Sequence, residues 1–389
     1  MTPTEKDTPT GHQPFRIDVP EAELDDLRRR LDATRWPEPA TAEGWVQGVP
    51  LEYLREFCDY WANEYDWRAA ERRLNDVPQY RTTIDGLGWH YVHARSPHAG
   101  AQPLVLLHGW PGSFREFTDL VAPLTHPVDP ADAFHVVCPS LPGFAFSDKP
   151  SAPGWGIQRI AAGVDRLMAS LGYDRYGVHG GDWGSVIAAI VAHRFSPRVI
   201  GVHLTIPIIL NAPPDPSILT DLSDFERLGM ERTELFGQVG TGYLTQMATK
   251  PQTLGYGLVD SPAGQAAWIL EKFFEWTDCD GDPRNAVPWD AILDNISLYW
   301  FTRSGASSAR IYWESMSDVP NDVITVPTGC SIYPKEHVRV ARRAAEPFLP
   351  NILQWHEMPE GGHFASLEQP VAFLDELTTF FRSARGMSG

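Results

Sequence analysis

Val178-His179-Gly180-Gly181-Asp182-Trp183-Gly184-Ser185 is the stretch on which the reading of this 389-residue chain turns. Its centre, Gly180-x-Asp182-x-Gly184, has the spacing of a nucleophile elbow, G-x-S-x-G, with aspartate where serine usually stands. An elbow of this kind is a sharp turn between a strand and a helix, and small flanking residues are needed because a side chain there would meet neighbouring backbone. Apolar residues precede the turn, and an alanine-rich helical run, Val186 to His193, follows it. A carboxylate is already ionised at neutral pH, so an aspartate at the tip points to covalent attack on saturated carbon with no base to activate it.

Working outward, the flanking sequence alternates strand and helix. Pro103 to Leu107 and Phe134 to Cys138 are short continuous apolar runs, as strands buried on both faces require. Ile157 to Leu171 has helical spacing, and Val199 to Ile206 reads as a further strand. This rhythm predicts a parallel α/β sheet, whose ligands bind at the carboxyl ends of the strands. Tyr80 to Val92 alternates with period two around a glycine-containing turn and reads as a hairpin. Beyond the proline-rich stretch Pro207 to Pro216 the rhythm stops for helical patterns, including a helix starting at Ser261-Pro262 and another over Trp289 to Phe301. It resumes with a strand over Val323 to Thr328, a helix from about His337 to Pro347, a strand over Ile352 to Trp355 and a helix over Pro370 to Ser383. At the other end, Leu24, Leu27 and Leu31, then Leu51, Leu54, Phe57, Tyr60 and Trp61, recur at helical spacing, separated by Trp36-Pro37 and Pro39. The expected organisation is a disordered leader over 1–14, a helical wrapping segment over 15–79, a sheet domain over 80–207 and 321–389, and a helical cap over 208–320 inserted after the sixth strand.

In the α/β-hydrolase fold the nucleophile is followed in chain order by an acid and then a histidine. His363, in Glu360-Gly361-Gly362-His363-Phe364, follows the last expected strand, and Glu336 follows the strand before it. Both would emerge beside Asp182 at one sheet edge, with Asp318 and Asp322 as competitors for the role of the acid. His108-Gly109-Trp110-Pro111-Gly112-Ser113 directly follows a buried strand, where the fold places one backbone N–H of an oxyanion hole; the other comes from the residue after the nucleophile. The amides of Trp110 and Trp183 are thereby nominated, and a cis Trp110–Pro111 bond suits so tight a turn.

These motifs together resemble the epoxide hydrolases of the microsomal type, a family that includes juvenile-hormone and bacterial members. The likeness extends over nearly the whole chain, including Phe15-Arg16-Ile17 through Trp36-Pro37, which is similar to that family's N-terminal helical domain. Gly242-Tyr243-Leu244 and Arg310-Ile311-Tyr312-Trp313-Glu314 match the regions carrying the family's epoxide-binding tyrosines, so the resemblance implies that role for Tyr243 and Tyr312. It further implies an ester on Asp182, cleared by water that His363 activates under the orientation of Glu336, with a vicinal diol as product and no metal or organic cofactor. Mammalian microsomal members begin with a membrane anchor; this chain has none, so a soluble, cytoplasmic protein is expected. Soluble actinobacterial relatives include enzymes of antibiotic assembly, notably enediyne pathways, and the resemblance permits that role. The alternatives are a haloalkane dehalogenase, in which Trp183 would hold halide, and a hydrolase-fold protein that only binds a small apolar ligand.

A formal charge of −18 argues against nucleic acid or an anionic membrane surface as partner. No stretch approaches about 18 uninterrupted apolar residues, so no membrane span is expected. Cys58, Cys138, Cys279 and Cys330 lack any metal spacing and read as buried free thiols of a reducing cytosol. Phe144, Trp155, Phe236 and Trp300 are candidate walls for a large apolar or aryl epoxide. A monomer and a homodimer are both compatible with the sequence, the helical layer offering a contact surface.

Overall fold

The computed structural model describes residues 11–207 and 220–386. Among the described residues nine strands form one sheet: β1 (Gln13–Phe15), β2 (Gln79–Ile84), β3 (Leu87–Ala94), β4 (Gln102–Leu107), β5 (Phe134–Pro139), β6 (Tyr176–Gly180), β7 (Val199–Leu204), β8 (Thr328–Ile332) and β9 (Ile352–Glu357). Their spatial order is β1-β2-β3-β5-β4-β6-β7-β8-β9. The first three strands and the β3–β5 pair are antiparallel, and from β5 to β9 every pairing is parallel. The hairpin between β2 and β3 turns on Asp85 (φ 53°) and Gly86 (φ 79°), the two left-handed positions that a two-residue primed turn demands.

Among the described residues the helices fall in four groups along the chain. Ahead of the hairpin lie α1 (Glu21–Asp32), α2 (Leu51–Asn63) and α3 (Trp67–Asn75). Within the sheet domain come α4 (Arg115–Thr118), α5 (Val121–Thr125), α6 (Ile157–Ser170) and α7 (Trp183–Arg194). Between β7 and β8 the chain builds the cap from α8 (Asp224–Leu235), a π-helical turn (Phe236–Gly240), α9 (Gly242–Thr249), α10 (Pro251–Asp260), α11 (Pro262–Trp276), α12 (Trp289–Phe301) and α13 (Gly305–Ser315). After β8 and β9 follow α14 (Arg342–Ala345), α15 (Ala365–Glu368) and α16 (Pro370–Gly386). One apolar cluster joins α6, α7, the cap and one sheet face, and a second joins α5, α16 and the other face. Both faces are therefore covered, as a parallel sheet with buried strands requires.

The N-terminal layer is bound to the cap as well as to the sheet. Trp61 Nε1 donates to Ser297 Oγ at 3.0 Å, Tyr53 donates to Asp282 at 2.8 Å, and Tyr65 donates to Asp294 at 2.9 Å. Arg73 and Arg115 also reach the buried Asp294, at 3.1 and 2.9 Å. A carboxylate so deeply buried is tolerable only with such partners, because an unpaired charge in this setting costs several kcal/mol.

Several sequence expectations need correction. Within the expected leader, Gln13 and Pro14 are ordered, because Gln13–Phe15 add an edge strand to β2; residues 1–10 lie outside the described residues. Counting that strand, the cap follows the seventh strand and not the sixth. Most of the expected proline linker and the start of the cap, 208–219, lie outside the described residues. The strand expected over Val323 to Thr328 begins only at Thr328, since Pro327 has no N–H to give to the ladder and uses only its carbonyl, toward Val202. The helix expected from His337 shrinks to α14, because His337 and Arg339 are drawn inward as buried side chains.

Candidate active site

Asp182 sits at the turn from β6 into α7 with φ 50°, a left-handed conformation that costs a non-glycine residue on the order of 1–3 kcal/mol. The glycines on either side make that turn possible. A β-carbon on Gly180 would overlap the carbonyl of Gly184, and one on Gly184 would overlap the carbonyl of Leu107 on β4. Adjacent strands thereby bring the loop after β4 against the elbow, and Trp110 N–H donates to Asp182 Oδ1 at 2.7 Å. Burial raises the pKa of Asp182, while His363 and the amides of Trp183 and Trp110 pull it down. The N-terminus of α7 adds its dipole in the same sense.

His363 lies in the loop between β9 and α15, pinned by its own N–H to the carbonyl of Trp276 on the cap at 2.8 Å. Its Nδ1 stands 3.1 and 3.0 Å from the two oxygens of Glu336, and its Nε2 is 3.8 Å from Asp182 Oδ2. Burial alone would lower the pKa of His363, but Glu336, and then Asp182 and Glu116, push it up to about 9. Burial would raise Glu336, yet His363 and His337 outweigh it and hold this carboxyl well below the usual range. Asp322 faces His193 at 3.9 Å instead, so Glu336 is the carboxylate beside His363. His337 was not anticipated. Its backbone N–H donates to Glu336 at 2.8 Å, and its Nδ1 lies 2.7 Å from the same carboxylate but misaligned for a hydrogen bond. Glu336, His337 and His363 together bring three metal-type donor atoms within 4.8 Å. The Glu336 carboxylate in that set is already engaged with His363 Nδ1 and the His337 N–H, which is the pattern of a histidine–carboxylate relay.

The loop after β4 is held from the cap by polar residues of α12 that sequence reasoning passed over. Trp110–Pro111 is cis. Asn295 donates to the Pro111 carbonyl at 2.7 Å and accepts from Ser113 Oγ at 2.7 Å, and Tyr299 donates to the Gly112 carbonyl at 2.8 Å. Polar side chains on an otherwise apolar helix were the available signal.

Tyr243 at the start of α9 and Tyr312 on α13 meet edge to face, with ring centroids 5.8 Å apart. Tyr243 stacks on Trp110 (5.1 Å), and Tyr312 meets Trp183 edge-on (5.0 Å). Both phenols are pushed well above their ordinary pKa, first by burial and with a contribution from Asp182, so both are protonated donors at neutral pH. The Tyr312 hydroxyl is buried without a well-aligned hydrogen bond, the Tyr243 hydroxyl and Trp183 being its polar neighbours. Trp276 closes the group, 5.2 Å from Tyr243 and 4.9 Å from His363. Tyr243 also edges an outward groove of about 490 Å³ in the cap, beside the buried Lys272, whose Nζ lies 4.7 Å from the Tyr243 ring.

Of the four aromatic wall candidates, Phe236 joins this group, 6.5 Å from Tyr243 and 4.5 Å from His337. Phe144 is fully buried behind it, against His108 and Tyr299. Trp155 and Trp300 are corrected: each lines an outer groove containing none of Asp182, His363, Glu336 or the two tyrosines. Trp155 is drawn toward Arg159 and Trp89, and Trp300 toward Arg30 of α1.

An aspartate elbow, a histidine–carboxylate pair and a helical cap on this sheet define an α/β-hydrolase, and residues 102–233 match the family model described as alpha/beta hydrolase fold. Residues 12–117 match the model described as epoxide hydrolase N terminus. A relative from Stigmatella aurantiaca that carries an epoxide hydrolase assignment is 48% identical over 380 residues, covering 96% of this chain and 86% of its own length. Epoxide hydrolase 1 of Oryctolagus cuniculus is 32% identical over 400 residues, covering 95% of this chain and 88% of its own. The structure of Aspergillus niger epoxide hydrolase superposes with a TM-score of 0.89 at 34% identity, covering 97% of this chain and 98% of that one. The chain belongs to the microsomal-type epoxide hydrolase family and is an enzyme of that kind. Among the described residues no helix is long and apolar enough to cross a membrane.

Proposed function

We propose that the protein opens an apolar or aryl epoxide to a vicinal diol through an ester on Asp182. The observation that carries this reading is the pair of buried, protonated hydroxyls of Tyr312 and Tyr243, that of Tyr312 without a well-aligned partner, packed on the two tryptophans whose amides face Asp182. Buried hydroxyls are normally well satisfied, and an epoxide oxygen supplies an acceptor that both phenols can share. Asp182 attacks one ring carbon, the C–O bond breaks, and the alkoxide that forms is held by the two phenols.

The resting His363, with its pKa near 9, carries a proton beside the Asp182 carboxylate. Once Asp182 is esterified its charge disappears, and with it one of the attractions that held the imidazole protonated. The proton given up by His363 neutralises the alkoxide, leaving a neutral imidazole ready as base. Water then attacks the ester carbonyl, one of its hydrogens passing to His363, while the amides of Trp110 and Trp183 stabilise the oxyanion. As the tetrahedral intermediate collapses, the remaining hydrogen goes to the departing oxygen, and the Asp182 carboxylate and protonated His363 are regenerated.

Aromatic walls from Tyr243, Tyr312, Trp276 and Phe236 support an apolar or aryl substrate. A dehalogenase would expel a halide that needs no proton, and a phenol pair suits an oxygen that stays attached. Four free, buried cysteines support a cytoplasmic setting. The test is His363→Gln mixed with styrene oxide: intact-protein mass spectrometry is expected to show a covalent adduct that persists, mapped to Asp182. An absence of adduct in that variant sinks the reading.

A further inference from the structure

The HGWPGS loop contains two glycines whose missing side chains are filled by carboxyl groups. A β-carbon on Gly109 would overlap Asp182 Oδ1, and one on Gly112 would overlap Glu116 Oε1. Gly112 is not left-handed, so its backbone conformation does not explain why glycine stands there. What it permits is the entry of the Glu116 carboxyl against the loop backbone, one turn ahead of Glu116 itself.

That carboxyl has only the backbone N–H of Ser113 as an ordinary structural partner. Among the described residues no side chain makes a hydrogen bond or ion pair with it. The adjacent Arg115 turns away, to Asp294 at 2.9 Å and Asp119 at 2.8 Å. Protein packs closely round Glu116, yet the residue keeps intermediate exposure, so water can reach it. Asp182 shares this property, with 14% of its side chain accessible in an enclosed site. The charged groups that act on Glu116 are His363 and Asp182, and it acts in turn on His363 and Tyr299.

We propose that Glu116 is a third carboxyl of the active centre, holding the attacking water against His363 during hydrolysis of the Asp182 ester. The water gives one hydrogen to His363 Nε2 and hydrogen-bonds the carbonyl oxygen of Glu116 with the other, so its lone pair is aimed at the ester carbon. No bond to Glu116 forms or breaks. Burial, with the charge of Asp182, pushes Glu116 up to about 8 against the opposing pull of His363 and the Ser113 N–H. A neutral acid places no negative charge beside the oxyanion, whereas an ionised one would oppose its formation.

This inference rests on the ester reading, and the two fail separately. Rapid-quench single turnovers with styrene oxide follow ester formation and ester decay in the wild type, Glu116→Ala, Glu116→Gln and His363→Gln, each checked for an unchanged melt. Glu116→Ala should slow decay by about tenfold or more while formation stays within about twofold. Glu116→Gln, which keeps an acceptor oxygen, should decay within about threefold of wild type. Should Glu116→Ala fail to fold, Gly112→Ala, which displaces the carboxyl without removing it, should show the same accumulation of ester. Decay at the wild-type rate in Glu116→Ala, equal slowing of both halves, or a Glu116→Gln variant as slow as Glu116→Ala would each overturn the role. Absence of ester in His363→Gln overturns the ester reading instead.

Discussion

His363 Nε2 stands 3.8 Å from Asp182 Oδ2 while both oxygens of Glu336 lie within 3.1 Å of its Nδ1. One imidazole is thus shared between a permanent carboxylate and one that, in the proposed scheme, loses its charge in the first chemical step. The two half-reactions should therefore depend on pH differently. Ester formation should slow without stopping as pH rises through about 9, where the resting His363 loses its proton and the alkoxide must draw one from water, as it must in His363→Gln. Ester decay should fall toward acid with an apparent pKa clearly below that value, because the esterified Asp182 no longer raises it. Single-turnover rates measured from pH 5 to 10 check both limbs; coincident pKa values would contradict the scheme.

The same pair makes stability pH-dependent. His363 is raised from 6.5 to about 9, so its contribution is fully present below pH 6.5 and is lost as pH rises toward 9. Glu336 is depressed from 4.5, so its contribution is present above that pH and is lost as the solution is made more acidic. Glu336→Gln should flatten both limbs of a melting-temperature profile and cost about 3 kcal/mol or more near neutrality. In the same variant ester decay should fall by about 10²-fold or more.

Removal of either phenol should strike the first half-reaction alone. Tyr312→Phe and Tyr243→Phe are each expected to slow ester formation about 10²- to 10³-fold and to leave decay near wild type. A variant that slowed only decay would show that the hydroxyls serve the water and not the epoxide.

Asp294 offers a test of the scaffold apart from the chemistry. It receives Arg73, Arg115 and Tyr65 from two other parts of the chain, with 1% of its side chain accessible. Asp294→Ala leaves Arg115 buried and short of a partner, and should destabilise the fold by about 3–5 kcal/mol in urea unfolding.

Much of this architecture was legible because the decisive residues declare themselves by order. An aspartate elbow, a glutamate after the next-to-last strand and a histidine after the last can be found by counting elements, and the structure brings all three to one sheet edge. Glu116 could not be found that way, since a charged residue in a short helix looks solvated until Gly112 is seen to open space for it. Trp155 and Trp300 misled for the opposite reason: an aromatic side chain reveals that it is buried, not which of several grooves it borders. His337 escaped notice because adjacency to Glu336 in sequence says nothing about which way an imidazole turns. The edge strand Gln13–Phe15 was missed because three residues are too few to show a period.

The two tyrosines ride on the inserted helices, whereas Asp182, Glu336 and His363 belong to the sheet and its loops. The proposed scheme therefore vests recognition of the epoxide and disposal of the ester in separate portions of the polypeptide. A lineage could exchange the insertion, altering which ring it accepts and which carbon it opens, without rebuilding the apparatus that restores the enzyme after each cycle.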